Sequence, residues 1–175
     1  DLTREVLRPW NSSYLGLSDT GVTNNDYSIS GLSNNRVYYT LIDSVFNSRE
    51  TVSSGTYSSI NMDLTSNSDL VLKEDNAGPE ITLIFPSDGY GTTETSINFN
   101  WSVLDYGDEE TFCNLTLDNS IIAQDVPVLF NSSYNHTESV TSGNHNWNVS
   151  CVDNNSNIGY SETYVFSNGW QAQYN

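Results

Sequence analysis

Between residues 79 and 167, apolar side chains return at every second position in one short run after another, a period that suits a strand and not a helix. The run SINFNWSVLD sets Ile97, Phe99, Trp101 and Val103 on one face and Asn98, Asn100 and Ser102 on the other. TFCNLTLD separates Cys113, Leu115 and Leu117 from Asn114 and Thr116, and HNWNVSCVD separates Trp147, Val149 and Cys151 from Asn146, Asn148 and Ser150. With PEITLIFP, SIIAQDVPVLF, SSYNHTESV and YSETYVF, the segment offers seven strand candidates, parted by Gly, Asn, Asp, Ser and Pro clusters at the spacing of an antiparallel sandwich. GYG at 89–91 reads as turn chemistry between two of them.

The same parity sorts the chemistry. Seven Asn-x-Ser/Thr sequons occur, at Asn11, Asn100, Asn114, Asn131, Asn135, Asn148 and Asn154. In a half-buried antiparallel sheet one face is wet and the other packed. The strand sequons at Asn100, Asn114 and Asn148 then fall on the wet face, so N-linked glycans are the expected modification. The two cysteines, Cys113 and Cys151, fall on the packed face and match no zinc or redox spacing. One structural disulfide is expected, closing a loop of about 40 residues and contributing about 3 to 4 kcal/mol. Two free buried thiols are the alternative.

Residues 1–74 form a second β unit with a weaker pattern. DYSISGL, RVYYTLID, TYSSINMDL and DLVLKE read as strands, with EVLRPW and SYLGL marginal, a count too low for a closed sandwich. Residues 75–78 read as a linker, 79–167 as the second domain, and 168–175 as a tail. A sheet short of a strand leaves unpaired backbone groups along an edge. Three remedies are open: a longer precursor, irregular strands in the first 25 residues, or a strand donated by another copy. DLTREVLRPW and SNGWQAQYN are the candidate donors.

Charge bounds the partners. Five basic residues (Arg4, Arg8, Arg36, Arg49 and Lys73) face 22 acidic ones, a formal charge of −17, so nucleic acid and anionic membrane surfaces are excluded as ligands. The longest apolar runs, ITLIF and VPVLF, are far shorter than the roughly 20 residues needed to cross a bilayer. Charged residues make up 15% of the chain, against about 25% in an average globular protein, so the polar surface must come from Asn, Ser and Thr. That surface suits an extracellular, glycan-bearing protein. The start at Asp1, with no apolar leader, reads as a mature or excised portion of a secreted precursor.

Catalytic constellations are sparse. His136 lies inside a sequon and His145 at the start of a strand, and neither stands in a recognisable triad pattern. Asp105, Asp108, Glu109 and Glu110 read as a solvated loop rather than a glycosidase pair. No enzymatic activity and no organic cofactor are expected. Calcium is the one ion considered, with Asp75, Asp105, Asp108 and Asp153 as candidate ligands and the linker preferred, although no EF-hand spacing occurs. Trp10, Tyr14, Tyr106 and Trp170 would be the stacking platform of a carbohydrate-binding module.

The stretch PEITLIFPSDGYGTTETSINFNWSVLD, the Cys before an Asn-x-Thr sequon, and the late W-x-V-x-C-x-D run together resemble the immunoglobulin-like modules repeated in archaeal cell-surface proteins. YSISGLSNNRVYYTLIDSVFNS resembles the later strands of a fibronectin type III module, with Leu32 six positions before Tyr38 as in a tyrosine corner. The resemblance implies an all-β fold of two tandem immunoglobulin/fibronectin III-like antiparallel sandwiches. It also implies a non-catalytic spacer, adhesion or assembly role in a filament, pilus or surface layer, with copies of itself or other surface proteins as partners. A carbohydrate-binding adhesin module and an accessory domain of a secreted enzyme are the alternatives.

Overall fold

The computed structural model describes residues 3–6, 14–20, 22–64 and 68–169, with side chains described over 28–58 and 69–169. The chain is all-β and divides into two compact units, Asp1–Asn76 and Ala77–Asn175.

The first unit contains β1 (Thr3–Val6), β2 (Tyr14–Thr20), β3 (Val22–Ser30), β4 (Arg36–Ile42), β5 (Val45–Val52), β6 (Thr56–Leu64) and β7 (Ser68–Glu74). One sheet runs β1-β2-β7-β4-β5, and β3 pairs with β6 in the other; every pairing is antiparallel. Ile29, Leu32, Tyr38, Val52, Tyr57, Leu70 and Leu72 form its buried core. The Ser33 N–H donates to the Tyr38 hydroxyl at 3.1 Å, with Leu32 buried beside it, which is the geometry of a tyrosine corner. A polar chain also enters this core. The Tyr57 hydroxyl meets Ser48 Oγ at 2.8 Å, Ser48 Oγ meets Thr40 Oγ1 at 2.9 Å, and Asn47 Nδ2 donates to Thr40 Oγ1 at 3.2 Å. Burial outweighs the hydrogen bonds from Ser48 and Thr40 and raises the Tyr57 pKa.

This strand count corrects the sequence expectation for residues 1–74. Seven strands lie among the described residues of this unit, more than the sequence reading counted, and the front of the donor candidate DLTREVLRPW is β1, paired with the chain's own β2. The strand with no counterpart in the sequence reading is β5. It follows a two-residue hairpin in which Asp43 and Ser44 take φ of 51° and 67°, a left-handed pair usually signalled by Asn-Gly or Asp-Gly.

The second unit contains β8 (Glu80–Phe85), β9 (Tyr90–Thr92), β10 (Ser96–Leu104), β11 (Glu110–Leu117), β12 (Ser120–Leu129), β13 (Ser132–Ser139), β14 (Gly143–Val152), β15 (Ile158–Tyr160) and β16 (Tyr164–Asn168). A sheet of order β13-β10-β8 faces one of order β12-β11-β14-β16-β9, with β15 added to β14. GYG is therefore more than a turn: Gly89 turns at φ 77°, and Tyr90 and Gly91 then pair in parallel with Phe166 and Ser167. YSETYVF runs from the last residue of β15 into β16, and Asn168, assigned to the tail, closes β16. Gly159 is required where β15 passes the start of β8, since a Cβ there would lie 1.9 Å from the Pro79 carbonyl oxygen.

Between the sheets Phe99 packs edge-to-face on Trp147 at 5.2 Å and on Phe166 at 5.8 Å, with Ile97, Trp101, Val103, Leu115, Val128 and Val149 around them. The Trp147 indole N–H donates to the Pro86 carbonyl at 3.1 Å, so the ring is satisfied as well as buried.

The two units share one spatial order read in two chain orders. In the second, β12-β11-β14-β16 make one sheet and β13-β10 pair in the other. In the first, β2-β7-β4-β5 and β3-β6 occupy the same relative places with the same antiparallel pairings. There the strands equivalent to β10 and β11, which precede the other four compared strands in the second unit, come last, as β6 and β7. The first unit is thus a circular permutant of the second's strand order.

Candidate functional site: the outer faces of the second unit

Alternation gives β10, β11 and β14 one buried and one outward face, and the outward faces carry the sequons. Burial alternates along all three strands, with Phe99, Trp101, Cys113, Leu115, Trp147 and Val149 buried, which places Asn100, Asn114 and Asn148 on the side away from the core. On the β13-β10-β8 sheet, Asn100 lies directly opposite Asn135, so two acceptors are cross-strand neighbours. Asn100 Nδ2 donates to Asn135 Oδ1, and Asn98 Nδ2 reaches the same oxygen at 3.3 Å. Asn131 is exposed in the turn before β13, at φ 50°.

The opposite sheet arranges its sequons differently. Asn114-Leu115-Thr116 on β11 runs antiparallel to Ser150-Val149-Asn148 on β14, so each acceptor faces the other sequon's hydroxyl residue. Asn114 Oδ1 accepts the Asp125 N–H at 2.9 Å. Asn154 follows β14 in a loop and donates from Nδ2 to Asp108 Oδ1 at 2.7 Å. Asn11 lies outside the described residues.

On the inward side of that sheet Cys113 and Cys151 are opposite each other and joined, with Cα atoms 4.0 Å apart and a sequence separation of 38. The bridge ties two adjacent strands of one sheet rather than the two sheets to each other. Both cysteines are buried against the aromatic core.

All five Lys and Arg residues belong to the first unit, so the second holds acidic groups with histidine as its one cationic side-chain type. His145 is 7% exposed and stacks on Phe166 at 5.1 Å. Its Nδ1 lies 2.6 Å from Asp118 Oδ2 and its Nε2 2.8 Å from the Thr141 carbonyl oxygen. Two acceptors around one ring call for the imidazolium, which donates from both nitrogens. Burial acts to lower the His145 pKa, but the hydrogen bonds to Asp118 and Thr141 and the Asp118 charge outweigh it, and the pKa is raised. Burial likewise acts to raise Asp118, while His145 and the Asn146 N–H hold it below the usual carboxylate range. Both ring nitrogens are engaged, so the pair is a structural clasp. His136 Nε2 sits 3.4 Å from Glu138 Oε2 on β13.

Of the candidate calcium ligands, Asp108 and Asp153 are brought together in this unit, with carboxylate oxygens within 4.8 Å. Each is held by asparagine: Asp108 by Asn154, and Asp153 by the N–H and Nδ2 of Asn157, both at 2.7 Å. Asp105 Oδ1 accepts the Gly107 N–H at 2.9 Å on the loop that carries Asp108, with Glu109 and Glu110 following. Asp75 belongs to the first unit, where its N–H donates to the Val37 carbonyl. Among the candidate stacking aromatics, Tyr106 packs on Phe130 at 5.9 Å. Trp10, Trp170 and the Tyr14 side chain lie outside the described residues.

Neither a protein-family model nor a curated protein matches the chain. Solved structures do. The fibronectin(III)-like modules of Clostridium thermocellum CbhA align over 51% of this chain and 96% of theirs, at 16% identity and a TM-score of 0.40. The central fibronectin-III array of RIM-binding protein aligns over 95% of this chain and 68% of its own, at 10% identity and a TM-score of 0.35. The class of protein is a tandem immunoglobulin/fibronectin III-like β-sandwich, and its definition rests on the strand order above.

Proposed function

We propose that this chain is a non-enzymatic, extracellular structural or adhesive component of a cell surface, of the archaeal kind that its sequence resembles, with its second unit sheathed in N-linked glycans. The single observation behind this reading is the sorting of one β-sandwich by face. Acceptor asparagines stand outward on both sheets, a buried disulfide lies on the inward face, and no lysine or arginine is present in the unit to supply the usual charged surface. A disulfide belongs to an oxidising compartment, where glycan attachment also occurs. The action is mechanical: copies of the chain, or other surface proteins, are held in a filament or layer whose exterior is sugar. Electron microscopy of native material, paired with intact mass before and after glycan release, tests both halves. Filaments or lattices built from a chain heavier than its polypeptide are the expected result. Isolated particles of unmodified mass would end this reading.

A further inference from the structure

On the outward face of β11, Phe112, Asn114 and Thr116 stand in a row, because alternate residues of a strand share a face. Asn114 therefore has a phenyl ring on one side and the hydroxyl of its own sequon on the other. Among the seven sequons it alone has an aromatic residue two positions earlier. Phe112 is 36% exposed and is the centre of an apolar line across the sheet. Pro127 on β12 and Val152 on β14 are its direct neighbours, and Ile158 on β15, 54% exposed, lies opposite Val152. A contiguous apolar row on an outward sheet face is the kind of surface that a covering group can use.

The point of attachment names the cover. Asn114 Oδ1 is occupied by the Asp125 N–H, where β12 bulges between its partners Val126 and Ala123, so the carboxamide is held in one orientation. No hydrogen bond engages its Nδ2 among the described residues, and Nδ2 is the atom that bears an N-linked sugar. A pyranose has a face of C–H groups, and a partly exposed phenyl ring beside the attachment atom offers it a flat apolar partner.

We propose that the Asn114 glycan is a structural part of the second unit, with its first sugar ring lying on Phe112 and shielding the row formed with Pro127 and Val152. This rests on the glycosylation reading above and adds the surface that one glycan covers.

The test uses the full chain secreted from a host that attaches N-glycans, as five versions: unaltered, Asn114→Gln, Phe112→Ala, Asn114→Gln with Phe112→Ala, and Phe112→Tyr. Glycopeptide mass reports occupancy at each sequon. The thermal midpoint of the second unit, identified as the transition that moves when the disulfide is reduced, reports packing. Phe112→Ala lowers that midpoint by about 5 °C more in the glycosylated chain than in the Asn114→Gln chain, while Phe112→Tyr, which keeps the ring, retains it. Equal effects of Phe112→Ala in both backgrounds overturn the proposal and leave glycosylation standing. Glycans at other sequons with Asn114 bare do the same. A chain bare at every sequon overturns the proposal together with the reading beneath it.

Discussion

The first unit holds every lysine and arginine, one sequon and a polar chain inside its core, whereas the second holds the disulfide, six sequons and a core centred on edge-to-face aromatic rings. Both reach the same relative strand arrangement, and they enter it at different points of the chain. The difference separates what the sandwich needs from what each unit adds. The shared requirement is the set of antiparallel neighbours with one packed face. Tyr38 and the Tyr57–Ser48–Thr40 chain provide hydrogen-bonded specificity in one unit. Covalent closure and aromatic packing take that place in the other, where the outer faces are left to amides and hydroxyls.

The largest expected effect breaks the comparison at the sulfur bridge. Replacing both Cys113 and Cys151 by alanine removes a 38-residue closure and should destabilise the second unit by about 4 kcal/mol. Calorimetry should show the second-unit transition moving to lower temperature and the first-unit transition staying in place. A shift of both by equal amounts would contradict independent stabilisation. Tyr38→Phe is the counterpart in the first unit. It strips the acceptor from the Ser33 N–H and should cost roughly 1 to 2 kcal/mol in urea unfolding of that unit. A neutral result would reduce the tyrosine corner to packing alone.

pH should also separate the units. His145 has a raised folded pKa, so its stabilising contribution is fully present below its unfolded value near 6.5 and is lost as pH rises through the folded value. Asp118 has a lowered folded pKa, so its contribution is present above its unfolded value near 3.8 and is lost as pH falls through the folded one. The second unit should be most stable between those limits and should weaken on the alkaline side first through His145. In His145→Gln the decline above about pH 6.5 should vanish in a melting series. Its persistence would move the effect elsewhere.

The smallest effect concerns Asn100 and Asn135. They are direct cross-strand partners sharing an amide hydrogen bond, so glycans on both should be rarer on one molecule than independent occupancy predicts. Asn100→Gln should raise occupancy at Asn135. Unchanged occupancy in glycopeptide mass analysis would show that the two sites do not compete.

The long strands of the second unit were legible because alternation and burial coincide in them: Ile97, Phe99, Trp101 and Val103 are all buried. Short β9 and β15 were not, since three residues carry no period. In the first unit β5 was hidden because Asp43–Ser44 makes a left-handed turn without glycine, and because its inward face is largely half-buried. The permuted order was hidden for another reason. Which strands become neighbours is decided by long-range pairing, and β7 inserts between β2 and β4 across most of the unit's length. The same limit applies to the site. Parity told which way Asn114 and Asn148 face, but their register against each other, and the opposition of Asn100 to Asn135, arise from strands far apart in sequence. The His145–Asp118 clasp, 27 residues apart, was invisible for that reason too.

One digestion addresses the central claim directly. No lysine or arginine lies between residues 74 and 175, so trypsin leaves that stretch uncut on one fragment carrying six of the seven sequons. From native material, that fragment, reduced and weighed before and after glycan release, should be heavier than its polypeptide and should fall to a mass explained by its residues alone. A fragment that already has the bare polypeptide mass would contradict the glycan-sheathed sandwich.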